Sequence, residues 1–192
     1  MNGLIEKDQQ LLLFLNGLGS SSFDPFWLMI TGKWFWVPFY IILAYYLFKS
    51  FPLKKFIFIL IFLAIGIAIS DQLAGIFKIG VARLRPCHTE ALMSKMRLVT
   101  CGGQFGFYSS HASNSFFLVS FLSMLIGKKY QFVLYMLLLL AIPVSYSRIY
   151  LGVHFPLDVA FGAGVGFLLG GFLATLTKKV LAYSVLPNKF IL

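Results

Sequence analysis

The sequence predicts an all-α integral membrane protein: a helical bundle of about five transmembrane helices preceded by an N-terminal interfacial helix. Three observations carry that expectation. Of the 192 residues, 59% are hydrophobic and only 11% charged, and the mean hydropathy is +0.88, far from the balance of a water-soluble domain. The apolar residues fall into runs of about the 20 residues that a helix needs to cross a bilayer. Short basic turns and one long polar segment separate the runs, so a single domain over 1–192 accounts for the chain.

Residues 1–24 mix Glu6, Lys7, Asp8, Gln9 and Gln10 with the short run Leu11 to Leu15, followed by Asn16, Gly17, Gly19 and three serines. The run is too short to span, and its acidic neighbours argue against a signal peptide. It reads as an amphipathic helix in the interface, ending near Gly17. A first span covers about Phe26 to Phe48, with Trp27, Trp34, Trp36, Tyr45 and Tyr46 toward its ends as anchors. After Lys49, Lys54 and Lys55, a second span runs from about Phe56 to Phe77. It carries Asp71, two turns before Lys78 on the same helix face, which suggests an ion pair or hydrogen bond for a carboxylate at that depth.

Residues 79–108 are too rich in Arg, Pro and Gly to span and read as an extracytoplasmic loop, and long loops in compact domains tend to carry function. Cys87 and Cys101 both fall in it. An oxidising periplasm would allow them to close a disulfide, the alternative being two free thiols. His88, Glu90, Lys95 and Arg97 read as solvated loop residues. A third span begins near Ser109 and ends before Gly127-Lys128-Lys129, a fourth covers about Tyr130 to Ser147, and a fifth runs from Pro156 to about Thr177. In the fifth, Gly162, Gly166 and Gly170 form a smooth face suited to close packing within the molecule. Tyr146 and Tyr150 read as interfacial anchors.

The net charge of +10 could suggest nucleic acid, but the basic residues are scattered at the ends of apolar runs with no basic stripe. The partners expected are the lipid bilayer and anionic lipid, not nucleic acid. Lys49, Lys54, Lys55, Lys128, Lys129, Lys178, Lys179 and Lys189 share one side of a five-span arrangement and are placed in the cytoplasm with the C-terminus. The opposite ends of the spans then meet at the outer, periplasmic face of a bacterial cytoplasmic membrane. Those ends carry Lys78, Ser109 to His111, Arg148 and His154.

That convergence sets the functional expectation. Around Ser147-Arg148, His154 and Asp158, ionisable groups interrupt apolar sequence and need a reason. Pro156 suits the first turn of a helix, which puts His154 just before the helix and Asp158 one turn further on. A carboxylate on one ring nitrogen fixes the tautomer and leaves the other as base or nucleophile. Taken alone, the trio could also be an interface Arg, a packed His and a helix-starting Asp. Joined to Lys78, Arg85 and the helix start at Ser109-Ser110, it describes a site for an anion.

These residues resemble the type-2 phosphatidic acid phosphatase superfamily, which also includes vanadium-dependent haloperoxidases. Its first motif, Lys, six residues, Arg-Pro, is met by Lys78 and Arg85-Pro86. Its second, Pro-Ser-Gly-His, is met by Ser109 and His111, with Tyr108 and Ser110 in place of Pro and Gly. Its third, Ser-Arg, five residues, His, three residues, Asp, is met by Ser147-Arg148, His154 and Asp158. The resemblance implies a metal-independent lipid phosphate phosphatase without a cofactor. His154 would attack phosphorus to give a phosphohistidine, Asp158 would hold its ring, and His111 would protonate the leaving oxygen. Lys78, Arg85, Ser109, Ser110 and Arg148 would bind the phosphate. Small members of the family put undecaprenyl diphosphate first as substrate, then phosphatidylglycerol phosphate, then the phosphate of lipid A. Arg83 stands open between phosphate contact and headgroup pairing. Two other readings keep the same anion site: a non-catalytic binder or transporter of phosphorylated lipids, which has no need of a His-Asp pair and a second His, and a vanadate-holding haloperoxidase, whose relatives are soluble.

Overall fold

A computed structural model describes residues 2–126 and 131–183 of the chain. It contains α1 (Asn2–Gly17), α2 (Asp24–Thr31), α3 (Val37–Ser50), α4 (Leu53–Val81), the short α5 (Glu90–Met93), α6 (Ser110–Ile126), α7 (Gln131–Tyr150) and α8 (Pro156–Tyr183). Among the described residues, α4, α7 and α8 are each long and apolar enough to cross a membrane, and α2 with α3 makes a fourth span if taken as one broken element. The apolar α6, with 17 residues, is shorter. Lys128, Lys129 and Lys189, used above to orient the chain, lie outside the described residues.

The first span is the element that departs from expectation. Instead of one helix from Phe26 to Phe48, α2 stops at Thr31, Gly32 is extended, a 3-10 turn follows, and α3 leaves at 66° to α2. Gly32 gives up little by leaving the helix, and Pro38 has no N–H to continue one. Trp36 closes the break by donating its indole N–H to the Ile30 carbonyl at 2.6 Å.

The centre of the bundle is α6. Phe117, Phe121 and Leu122 are fully buried and pack with Ile59 of α4, Leu137 and Ala141 of α7, and Leu173 and Ala174 of α8. A helix surrounded by protein can be short, since it needs no lipid-facing belt. The outer helices expose Ile61 and Ile65, Leu139 and Ile142, and Leu168 and Phe172, the surface expected to face hydrocarbon. A Cβ at Gly162, Gly166 or Gly170 would strike the backbone oxygens of Ser109, Ser113 and Phe117 respectively. The glycine face of α8 therefore packs directly on the α6 backbone. Across the other side of α6, the hydroxyls of Ser70 and Ser113 lie 2.7 Å apart and tie it to α4.

More than an interfacial element, α1 is docked into the protein. Asn16, fully buried, donates to the carbonyls of Arg97 and Tyr150 at 3.0 and 2.8 Å and accepts the Arg97 N–H at 2.7 Å. Tyr146 donates to the Leu15 carbonyl at 3.0 Å.

Candidate active site

α4 ends where Ala82 takes a left-handed conformation, φ 49°, with its N–H on the Lys78 carbonyl. Beyond it the two arms of the polar segment pair briefly: the Arg85 N–H donates to the Gln104 carbonyl at 3.0 Å and the Gly106 N–H to the Arg83 carbonyl at 2.8 Å. A disulfide joins Cys87 to Cys101, with Cα atoms 5.9 Å apart. This small closed structure fixes the backbone that carries Arg83 and Arg85.

Arg85 reaches the turn between α7 and α8. It donates to the carbonyls of Phe105 and Val153, each at 3.2 Å, and its Nη1 lies 3.2 Å from His154 Nε2. A guanidinium can only donate, so Nε2 is the acceptor and the ring proton belongs on Nδ1. That nitrogen faces Asp158 Oδ2 at 3.5 Å. Asp158 is completely buried and held by Arg83, which donates to Oδ1 at 2.7 Å, and by the Phe155 N–H, which donates to Oδ2 at 3.0 Å. Burial pushes His154 down to about 4 against the pull of the Asp158 carboxylate, while the Arg85 charge adds to the effect of burial. The imidazole is neutral at physiological pH, with its Nε2 lone pair available.

Lys78, Ser110, His111 and Arg148 lie at the same end of the bundle. Lys78 Nζ donates to Ser110 Oγ at 3.4 Å. His111, in the first turn of α6, lines a cavity of about 420 Å³ together with Ser110 and Thr31. Arg148 donates to the Thr31 hydroxyl, which draws the end of α2 to the site. Ser109 plays a different part from the one its hydroxyl suggests. It is completely buried, its N–H donates to the Asp158 carbonyl at 3.0 Å and its Oγ accepts the Ala112 N–H at 3.5 Å. It joins α6 to α8 and is absent from the cavity lining.

Several residues here escaped the sequence reading. Arg83, left open between phosphate contact and headgroup pairing, bridges Asp158 and the buried Asp8 of α1, the latter at 2.6 Å, with its guanidinium 3.9 Å over the Phe155 ring. Asp8 also accepts the Leu157 N–H at 2.9 Å. A Cβ on Gly106 would lie 3.0 Å from Arg85 Cγ and 3.3 Å from Asp158 Oδ2, a close approach that a glycine permits. Arg97, partly exposed, is also tied down: it donates to both oxygens of Asp24 at 2.8 and 3.0 Å. Tyr150 is buried and donates to Asp24 and to the Ser20 carbonyl, so it is a tie between elements and not an interfacial anchor. Asp71 is bonded to Asn114, which donates at 2.9 Å, while Lys78 turns to Ser110. Asp8 sits in the polar run Glu6 to Gln10, where nothing local marks it out.

Residues 59–182 match the model of the PAP2 superfamily. The lipid A 4′-phosphatase of Bacteroides thetaiotaomicron is 38% identical over 194 residues, an alignment covering 97% of this chain and 85% of that protein. The lipid A 4′-phosphatase of Porphyromonas gingivalis is 35% identical over 176 residues, covering 90% and 73%. Among solved structures, Aquifex aeolicus LpxE superposes with a TM-score of 0.64 at 26% identity, covering 88% of this chain and 93% of that one. The PAP2-type phosphatidylglycerolphosphate phosphatase of Bacillus subtilis superposes with a TM-score of 0.67 at 22% identity, covering 100% and 90%, and so shares the fold.

Proposed function

The chain belongs to the PAP2 superfamily and is a lipid phosphate phosphatase, and from that premise we propose that it removes phosphate from lipid A through a phosphohistidine on His154, at the outer face of a bacterial cytoplasmic membrane. The observation that carries the chemistry is the line Asp158, His154, Arg85, with contacts of 3.5 and 3.2 Å. It presents a neutral, oriented imidazole at the point where a cation would hold a phosphoryl oxygen. Undecaprenyl diphosphate stands first only on what small members of the family commonly do; it gives way to lipid A because both relatives named above are lipid A 4′-phosphatases.

The phosphate enters between Lys78, Arg85 and Arg148, and Arg85 exchanges its contact with Nε2 for an equatorial oxygen. Nε2 then attacks phosphorus in line. The phosphate dianion offsets the surrounding cations and brings His111 into its protonated form; the bond to the leaving oxygen breaks as His111 gives up that proton, and Asp158 supports the imidazolium that forms on His154. Water, deprotonated by His111, cleaves the P–N bond and releases inorganic phosphate and neutral His154. The guanidinium and ammonium groups supply the charge stabilisation that a metal ion supplies in other phosphoryl transfers.

Phosphate release from lipid A, undecaprenyl diphosphate and phosphatidylglycerol phosphate, measured in detergent with a metal chelator, tests this reading. Fastest turnover of lipid A, surviving chelation and abolished in His154→Ala, is expected. Loss on chelation, or turnover by His154→Ala, overturns the mechanism, and a wide preference for another lipid overturns the substrate.

A further inference from the structure

The phosphate chemistry leaves two polar side chains without a task. Asp71, on α4, lies seven residues below Lys78, about 10 Å along the helix, and Asn114 follows His111 by less than one turn of α6. Asn114 donates to Asp71 Oδ1 at 2.9 Å, and both line the same 420 Å³ cavity as His111. The rest of that wall is largely apolar, with Ile67, Leu118 and Val144. A carboxylate at this depth is costly, and beneath a phosphate dianion it adds repulsion. Asn114 Oδ1, moreover, is buried without a hydrogen-bond partner among the described residues. The cavity that His111 lines thus also carries a carboxylate and an amide oxygen with an unmet acceptor, which a ligand bearing donors would complement.

We propose that Asp71 and Asn114 form a headgroup subsite that takes the hydroxyl and amide N–H donors of a phosphorylated, N-acylated amino sugar. A prenyl diphosphate carries no such donor beyond its phosphates, and a glycerol headgroup carries few. A sugar ring places several within reach of a pair one helical turn from the group that protonates its oxygen. The positive charge of Lys78, Arg85 and Arg148 at the end of the bundle argues against a cationic headgroup. This subsite rests on the lipid A reading and explains how the same phosphate site would select that lipid.

Two measurements on the full chain test it: kcat/KM for lipid A, and the thermal stabilisation given by inorganic phosphate, which needs the cation cluster alone. Asp71→Asn and Asn114→Leu are expected to lower kcat/KM for lipid A by about 10- to 100-fold, as loss of hydrogen bonds involving a charged group does, and to keep the phosphate stabilisation of the wild type. Unchanged kcat/KM, or phosphate stabilisation lost together with activity, overturns the subsite. If wild type prefers lipid A and both variants match it, the subsite alone falls. If wild type turns over undecaprenyl diphosphate and not lipid A, the substrate reading falls with it.

Discussion

Asp158 meets His154 only because other groups hold it in place, and those groups come from three parts of the chain: Arg83 from the loop, the Phe155 N–H from its own turn, and, behind Arg83, Asp8 from α1. Asp8→Asn keeps an acceptor for the Leu157 N–H but removes the charge that fixes Arg83. We expect kcat to fall about tenfold with KM unchanged, a split that steady-state kinetics reads directly and that a general loss of folded protein would not reproduce. Protonation of His154 removes its lone pair, so activity is lost as pH falls through its value in the folded protein. Since that value is about 4, below the usual 6.5 of a histidine, kcat/KM should lose no His154-dependent activity until the pH is well under 6.5; an acid limb centred at 6.5 or above and assigned to His154 by phosphohistidine trapping would contradict this. The residues proposed to touch phosphate or reacting atoms are largely legible in the sequence, because Lys78 to Arg85 and Arg148 to Asp158 are local spacings. Arg83 and Asp8 were not, since their partners lie 75 residues away along the chain and nothing local announces the pairing.

At the scale of helices, the contact between α6 and α8 decides whether the site exists at all, because α6 carries His111 and α8 carries Asp158. Gly166→Ala would drive a methyl group into the Ser113 backbone, which cannot yield as a flexible side chain can. A loss of about 1–3 kcal/mol is expected, as for overpacking of a core, read as a lowered unfolding temperature in detergent. Gly164→Ala, with nothing within 4 Å of the new carbon, should leave stability unchanged or raise it by up to about 1 kcal/mol through helix propensity. The four-residue glycine repeat made this seam readable in advance. The break between α2 and α3 was not, although Gly32 and Pro38 stand in plain view, because the apolar run continues through them. Hydrophobicity records what faces lipid or core and is indifferent to whether the backbone bends there.

For the whole molecule, the loop and the N-terminal helix act as one clamp over the ends of α4, α6, α7 and α8. The Cys87–Cys101 bridge closes a segment of 14 residues' separation, for which chain entropy alone gives roughly 3 kcal/mol. Cys87→Ser with Cys101→Ser should lower the unfolding temperature and weaken activity by loosening Arg83 and Arg85, and reductant should do the same to wild type but not to the double variant. The helical bundle could be anticipated from hydropathy and the family from three motifs; the clamp could not, because it is built from hydrogen bonds between segments at opposite ends of the chain. Asp8 binds an amide 149 residues downstream, and that distance has a consequence for biosynthesis. A ribosome delivers α1 to the membrane long before α8 is translated, so the contact by which Asp8 braces the start of α8 forms only once that helix has been made.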